Sequence, residues 1–354
     1  MPKVIAVATE DAQFRLGQEE VKGFARQIFS GRRDDVERLL TVFGNTSVQS
    51  RHFTEDKSWY GLDHGFAERN QLYVQRAVEM SASAAKKSLD VAGMNPADID
   101  HIILVSSTGL STPSIDARLY NLLGLNSHVR RTPIWGIGCA GGAVGLSRAL
   151  EYTTAMPHHS VLLIAVEICG LTFQKDDLSK SNLVGTSLFS DGSAAVIVVG
   201  DEHPLHSRGG INLMNSLSTI YNDSLGVMGW EVLDTGLKVI FSKDIPTIVH
   251  DSVKMNIQEL AMMNGLKIPD IMHYVLHPGG QKVVDAYEEA LCLKDDELRY
   301  SRKVLREHGN MSSPTVLYVL QEFMSSHGYG SGEYGLIAAL GPGFSSELIT
   351  FKTD

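Results

Sequence analysis

Apolar positions in this chain follow two patterns. Ile102–Val105, Val161–Val166, Ala194–Val199, Tyr274–Leu276 and Leu336–Leu340 are short apolar runs with no polar alternation. Continuous runs of this length predict strands covered on both faces by helices. Longer stretches with helical spacing lie between them, among them Ala77–Ala92, rich in Ala, Ser and Lys, and Ile248–Met263. The apolar start Met1–Thr9 reads as a further strand. The polar stretch Asp201–Gly210, with Pro204 and two glycines, breaks the pattern and predicts a join.

The pattern occurs twice. Gly93-x-x-x-x-Asp98-Ile99-x-His101 precedes one apolar run, and Gly265-x-x-x-x-Asp270-Ile271-x-His273 precedes another, 172 residues on. Gly138-Cys139 opens a helical stretch to Glu151, and Gly309-Asn310 opens one to Glu322, so that Leu146 falls on Leu317 at an offset of 171. Leu163-Ile164-Ala165 matches Leu336-Ile337-Ala338 at an offset of 173. Three units in one order predict a duplicated, fused α/β chain. Its halves, 1–203 and 204–354, are packed as layers about a pseudo-twofold axis, with sheets between helices.

Composition narrows the function classes. The 354 residues hold 31 Lys and Arg against 41 Asp and Glu, a net charge of −10 without a basic run, which speaks against nucleic acid. No apolar stretch approaches the roughly 20 residues of a membrane helix. The N-terminus is too short and lacks the cleavage site of a signal peptide. Three scattered cysteines, Cys139, Cys169 and Cys292, build neither a disulfide framework nor a zinc motif. The expectation is a reduced, cytoplasmic protein.

Chemistry collects at strand ends and helix starts of such sheets. Cys139 stands at a helix start among Gly136, Gly138, Gly141 and Gly142, where a thiol pKa is expected to fall. Cys169 and Cys292 read as small buried hydrophobes. The same glycines spell G-x-G-x-x-G, but mid-chain and without a suitable acidic residue to hold a ribose. His277 ends a buried run before Pro278-Gly279-Gly280, where the first half has Val105. Asn310 occupies the place of Cys139 in the second half, although Asn at a helix start also serves as an N-cap. No metal-ligand spacing emerges. Cys, His and Asn together suggest acyl chemistry through a thioester, with His and Asn donating to an oxyanion or enolate. A papain-like hydrolase uses the same trio, but with its Cys near the mature N-terminus.

The sequence resembles the type III polyketide synthases, the chalcone-synthase-like group of the thiolase superfamily, over nearly its whole length. The marks are Gly136–Gly142, Leu188-Phe189-Ser190-Asp191-Gly192, His277–Gly280, Gly309-Asn310-Met311-Ser312-Ser313 and Gly341-Pro342-Gly343-Phe344. Ketoacyl-carrier-protein synthase III enzymes share the trio but carry glutamine-alanine-asparagine after the His. The resemblance implies a layered α-β-α-β-α thiolase-like fold and a homodimer that takes acyl-CoA and malonyl-CoA, with no separate cofactor. It implies Cys139 as nucleophile, His277 and Asn310 as oxyanion and enolate donors, and Phe189 as gatekeeper. Gly341, Pro342 and Gly343 would shape the cavity.

Of the three basic positions that hold CoA phosphates in plant members, this chain offers only Arg38, with Thr41 and Asn45 at the others. Arg51 or Lys57 would then contribute. The segments 109–116 and 228–231 look like the bacterial branch, many of whose members use fatty acyl-CoA. The expected product is an alkylpyrone. Ser107, Thr112 and Ser312 would leave room for the starter, and Trp230 would stand in the cavity or form its wall. A single-condensation ketoacyl synthase and a non-catalytic thiolase-fold scaffold are the alternatives.

Overall fold

The computed structural model describes residues 1–32, 35–242, 245–248, 252–294, 296–326 and 328–354. Its strands are β1 (Lys3–Asp11), β2 (Phe14–Gly17), β3 (Ser50–Phe53), β4 (His101–Val105), β5 (Arg130–Ile134), β6 (Ser160–Ile168), β7 (Asp191–Val199), β8 (Ile211–Ile220), β9 (Met228–Leu233), β10 (Gly236–Phe241), β11 (Ile271–Leu276), β12 (Tyr334–Gly341) and β13 (Ser345–Thr353). Nine form one mixed sheet in the order β11-β12-β13-β8-β1-β7-β6-β4-β5. Every run expected to be a buried strand lies within it.

The topology is duplicated. Outward from the centre, β1-β7-β6-β4 repeats as β8-β13-β12-β11, pairing antiparallel, antiparallel and parallel in each half. β5 has no counterpart strand. The two half-sheets join at β1 and β8, where Lys3 pairs with Asn212 and Val4 with Ile211. This short seam lets both half-sheets face the same pair of helices, Gly141–Ala155 and Thr315–Ser325. Their inner faces, with Ile103, Leu163, Val275 and Ile337, share one core with Leu146 and Leu317.

The helix Phe66–Ala92 covers the outer face of the first half through Ala77, Ala84 and Leu89. The helices Lys254–Met263 and Gln281–Leu291 cover the second through Leu260, Val284 and Tyr287. The layers run helix, sheet, helix, sheet, helix. Alternate residues of each strand enter different cores, so a strand buried on both faces must be apolar throughout.

Two features of the repeat are corrected. Leu163 faces the central helices, whereas Leu336 faces outward, so the partner of Leu163 is Ile337 at an offset of 174. A one-residue slip exchanges the faces of a strand. The second central helix begins at Thr315 rather than at Asn310. The stretch expected as helix Ile248–Met263 resolves into Ile245–Ile248 and Lys254–Met263, with residues 249–251 outside the described ones.

Candidate active site

Cys139 lies in a single tight turn, Gly138–Ala140, that runs straight into the helix Gly141–Ala155. Gly138 has φ +50°, and a Cβ there would come within 2.8 Å of Pro342 Cδ. A Cβ on Gly341 would lie 2.4 Å from the Ile137 carbonyl oxygen. Gly341-Pro342-Gly343 therefore packs directly on the Cys139 turn, and only glycine fits at either contact. The Gly138 N–H donates to Ser107 Oγ at 3.2 Å.

The C-terminal half brings the other two groups. Asn310 pairs with Phe189 through an isolated bridge: its N–H donates to the Leu188 carbonyl at 2.9 Å and its own carbonyl accepts from Ser190 N–H at 3.0 Å. Its Oδ1 accepts from the Ser312 N–H at 2.8 Å, and its Nδ2 donates to the Gly279 carbonyl at 3.1 Å. This network sets the amide orientation. The Asn310 amide stands 4.0 Å from Cys139 Sγ. His277 continues the β11 ladder, its N–H donating to the Ala338 carbonyl at 2.8 Å. Its ring borders Gly279, where a Cβ would lie 3.8 Å from Nε2. Neither ring nitrogen has a hydrogen-bond partner among the described residues. Ser312 holds φ +61°, a conformation unusual for a residue with a side chain.

Burial dominates the electrostatics. It pushes the Cys139 thiol up to about 11, partly offset by the Ser312 hydroxyl and the Asn310 amide. It pushes the His277 imidazole down to about 3. The expected lowering of the thiol is overturned: the helix start is present, but Cys139 is only 4% exposed. Burial thus favours the neutral form of both groups.

Beneath Cys139 lies a group that spacing did not single out. Glu167, at the end of β6, is fully buried and accepts from Ser107 N–H, Thr108 Oγ1 and Ser313 Oγ, each at 2.8 Å. Burial raises its carboxyl to about 7. Its place at a strand end, opposite Gly341 of the second half, was the available signal.

A pocket whose walls include Leu16, Val21, Phe24, Phe173 and Val239 reaches Phe189, while Cys139, His277 and Asn310 themselves do not line it. Phe189 is thus both a wall and the backbone partner of Asn310. Its ring lies 5.5 Å from Phe241 and 6.4 Å from Trp230. Trp230 is half-buried on the β9–β10 ribbon, paired in register with Val239.

The other residues expected to bind substrate fall in different places. Ser107 and Ser312 are buried beside the nucleophile and hold its surroundings rather than lining the cavity. Thr112 is exposed and lines none of it. Arg38 is exposed and paired with Asp35 at 2.7 Å. Arg51 lines the cavity, yet its guanidinium is committed to the Thr186 and Phe189 carbonyls and Gln18 Oε1. Lys57 lines the cavity from a half-exposed position, paired with Glu20 at 2.9 Å. Cys292, expected buried, is exposed at the end of a helix.

No helix among the described residues is long and apolar enough to cross a membrane. The family model for the N-terminal domain of chalcone and stilbene synthases matches residues 61–202, and that for the C-terminal domain matches 212–353. A Bacillus subtilis (strain 168) protein bearing the provisional name chalcone synthase is 42% identical over 362 residues, spanning 100% of this chain and 99% of its own. The 1,3,6,8-tetrahydroxynaphthalene synthase of Streptomyces peucetius subsp. caesius is 32% identical over 349 residues, covering 99% of this chain and 92% of its own. The crystal structure of 1,3,6,8-tetrahydroxynaphthalene synthase from Streptomyces coelicolor A3(2), a bacterial type III polyketide synthase, superposes with a TM-score of 0.94 at 29% identity over 99% of both chains. The chain belongs to the chalcone and stilbene synthase family: it has the thiolase-like fold and is a type III polyketide synthase, an acyltransferase working by decarboxylative condensation.

Proposed function

We propose that the enzyme loads a fatty acyl-CoA starter on Cys139, extends it repeatedly with malonyl-CoA and releases an alkylpyrone. His277 accepts the thiol proton as Cys139 sulfur attacks the starter carbonyl, and returns it to the departing CoA thiolate. Malonyl-CoA then loses CO₂. The enolate oxygen is held by His277 and the Asn310 Nδ2–H, and the enolate carbon attacks the Cys139 thioester, expelling the thiolate. The lengthened chain passes from CoA back to Cys139 with release of free CoA, the cycle repeats, and an enol oxygen attacks the thioester carbonyl, closing the ring and expelling the thiolate.

The observation that supports the fatty starter is the apolar lining of the pocket bounded by Phe189. An aliphatic tail offers no polar handle, so affinity must come from buried CH₂ groups, each worth about 0.8 kcal/mol, or up to about fourfold. The enzyme is further proposed to act as a homodimer. Leu110 and Trp135 stand 44% and 50% exposed, joined by the Trp135 indole donating to the Gly109 carbonyl at 3.0 Å. Sedimentation velocity checks that part.

The test of the starter is a kcat/KM series over acyl-CoA lengths with malonyl-CoA, products counted by mass spectrometry. Efficiency should rise with length, and Val239→Phe should cut it back for the longest starters. Preference for malonyl-CoA alone or for aromatic starters, indifferent to Val239→Phe, would overturn the fatty reading. A single two-carbon extension would overturn iteration.

A further inference from the structure

Three side chains outside the Cys139 site converge from distant parts of the chain. Asp11 ends β1, His52 lies in β3, and His308 closes the helix Arg299–His308. Asp11 Oδ1 is 3.0 Å from His308 Nδ1 and 3.8 Å from His52 Nδ1. One ligand atom from each of the three lies within 4.8 Å of the others. The imidazole rings are 5.4 Å apart and tilted by 34°. His308 and Asp11 alone would make an ordinary hydrogen bond. That bond leaves His52 unexplained: its Nδ1 is buried, faces the same carboxylate and has no hydrogen-bond partner among the described residues.

Two imidazoles and one carboxylate, each offering one atom to a common point, are the donor set of a borderline divalent ion. Metal–ligand distances of about 2.0–2.2 Å in tetrahedral geometry put neighbouring ligand atoms roughly 3.3 Å apart. The separations of 3.0 and 3.8 Å bracket that value, so small side-chain rotations suffice. The outer partners are present as well. The Tyr318 hydroxyl, donating to the Glu10 carbonyl at 2.7 Å, stands 3.2 Å from Asp11 Oδ1 and orients it. The His52 backbone is tied in both directions to Ser190 Oγ at 3.0 Å. Arg15, across the β2–β3 pair from His52, is the opposing cation, but its guanidinium is turned onto Ser50 Oγ at 3.0 Å. Asp11 remains 41% exposed, which leaves an entry path.

We propose that Asp11, His52 and His308 form a binding site for a divalent transition-metal ion of the Zn²⁺ or Co²⁺ class. His308 is two residues from Asn310, and Ser190, bonded to His52, also donates to the Asn310 carbonyl. A bound ion clamps the Asn310 segment to the end of β1.

The test titrates the full chain, stripped of metal by chelation, with Co²⁺ while recording its visible spectrum. The expected result is one equivalent bound, with the intense absorption of a low-coordinate nitrogen and oxygen site and no thiolate-to-metal band. His52→Asn and His308→Asn should each weaken binding roughly 100-fold or more, and Tyr318→Phe roughly tenfold. Cys139→Ala should leave the spectrum unchanged. Circular dichroism without metal checks folding, and Asp11→Asn, on an exposed strand end, replaces any histidine variant that fails to fold. No saturable binding, binding that survives loss of both histidines, or binding lost with Cys139→Ala would each overturn the proposal.

Discussion

The two halves carry the same strand order around the same helix pair, yet differ at every equivalent position that reaches the centre. The turn before the first central helix carries Cys139; its counterpart carries Asn310. The strand end at Val105 is a core position packed under Gly141, while its equivalent is His277. The strand end at Glu167 matches Gly341. The local backbone differs to suit. Cys139 runs directly into its helix, whereas Asn310 is pinned by a bridge and followed by four residues before Thr315. The Asn310 Oδ1 is already occupied by the Ser312 N–H, which leaves its Nδ2 as the group able to donate, while Cys139 is held at the mouth of its helix. The duplication supplies the frame, and divergence at three pairs of positions supplies the chemistry.

The strongest way to break this contrast is to remove each member of the first pair. Cys139→Ala should lower condensation by roughly 10⁴-fold or more, the scale seen when a nucleophile is deleted. It should still decarboxylate malonyl-CoA, because the enolate donors remain in the other half. Asn310→Ala should lose roughly 100- to 1,000-fold in decarboxylation while Cys139 still takes up the starter. Labelled CO₂ release and intact-protein mass after starter loading read the two steps separately. Normal decarboxylation in Asn310→Ala would show that the halves do not divide the labour this way.

A smaller effect is expected where equivalent positions touch. Gly142 and Ser313 correspond, and a Cβ on Gly142 would lie 2.3 Å from the Ser313 carbonyl oxygen and 2.7 Å from Val316 Cγ1. Both contacts are in packed backbone or core, so Gly142→Ala should destabilise by about 1–3 kcal/mol. Because Ser313 also holds Glu167, the displacement should reach the Asn310 segment. Thermal unfolding and decarboxylation should fall together. A variant with wild-type stability would mean that the central helices move apart freely.

The fold was legible because burial on both faces writes itself as continuous apolar runs, and the trio because its motifs are distinctive. Register was less legible: Leu-Ile-Ala matches itself at two offsets, and only the faces of Leu163 and Leu336 separate them. The thiol's state is not legible in sequence: helix-start chemistry is visible in glycines, whereas the enclosing walls come from distant segments. Residue size alone does not reveal position: the walls beside Phe189 come from helix and ribbon residues such as Phe24 and Val239, far in sequence from Ser107, Thr112 and Ser312. Asp11, His52 and His308 have no spacing to read at all.

The gentlest test concerns the second strand-end pair. Glu167 is a buried carboxyl, raised by burial from 4.5 to about 7, where Gly341 offers nothing to titrate. Between those values the folded state holds a proton that the unfolded state has released. Stability from this group is therefore fully present below about pH 4.5, and it is lost as pH rises through about 7, with a slope of at most about 1.4 kcal/mol per unit. Glu167→Gln keeps the shape and two acceptor lone pairs but removes the titration. One of the three donors then faces an amide NH₂, so the variant should be weaker by about 1–3 kcal/mol at low pH. The gap should narrow as pH rises and wild type alone loses stability. Urea unfolding of both proteins at several pH values isolates the effect, since every other carboxyl is common to both. Parallel curves would mean that Glu167 is ionised throughout, its three donors outweighing burial, and that the site beneath Cys139 carries a fixed negative charge.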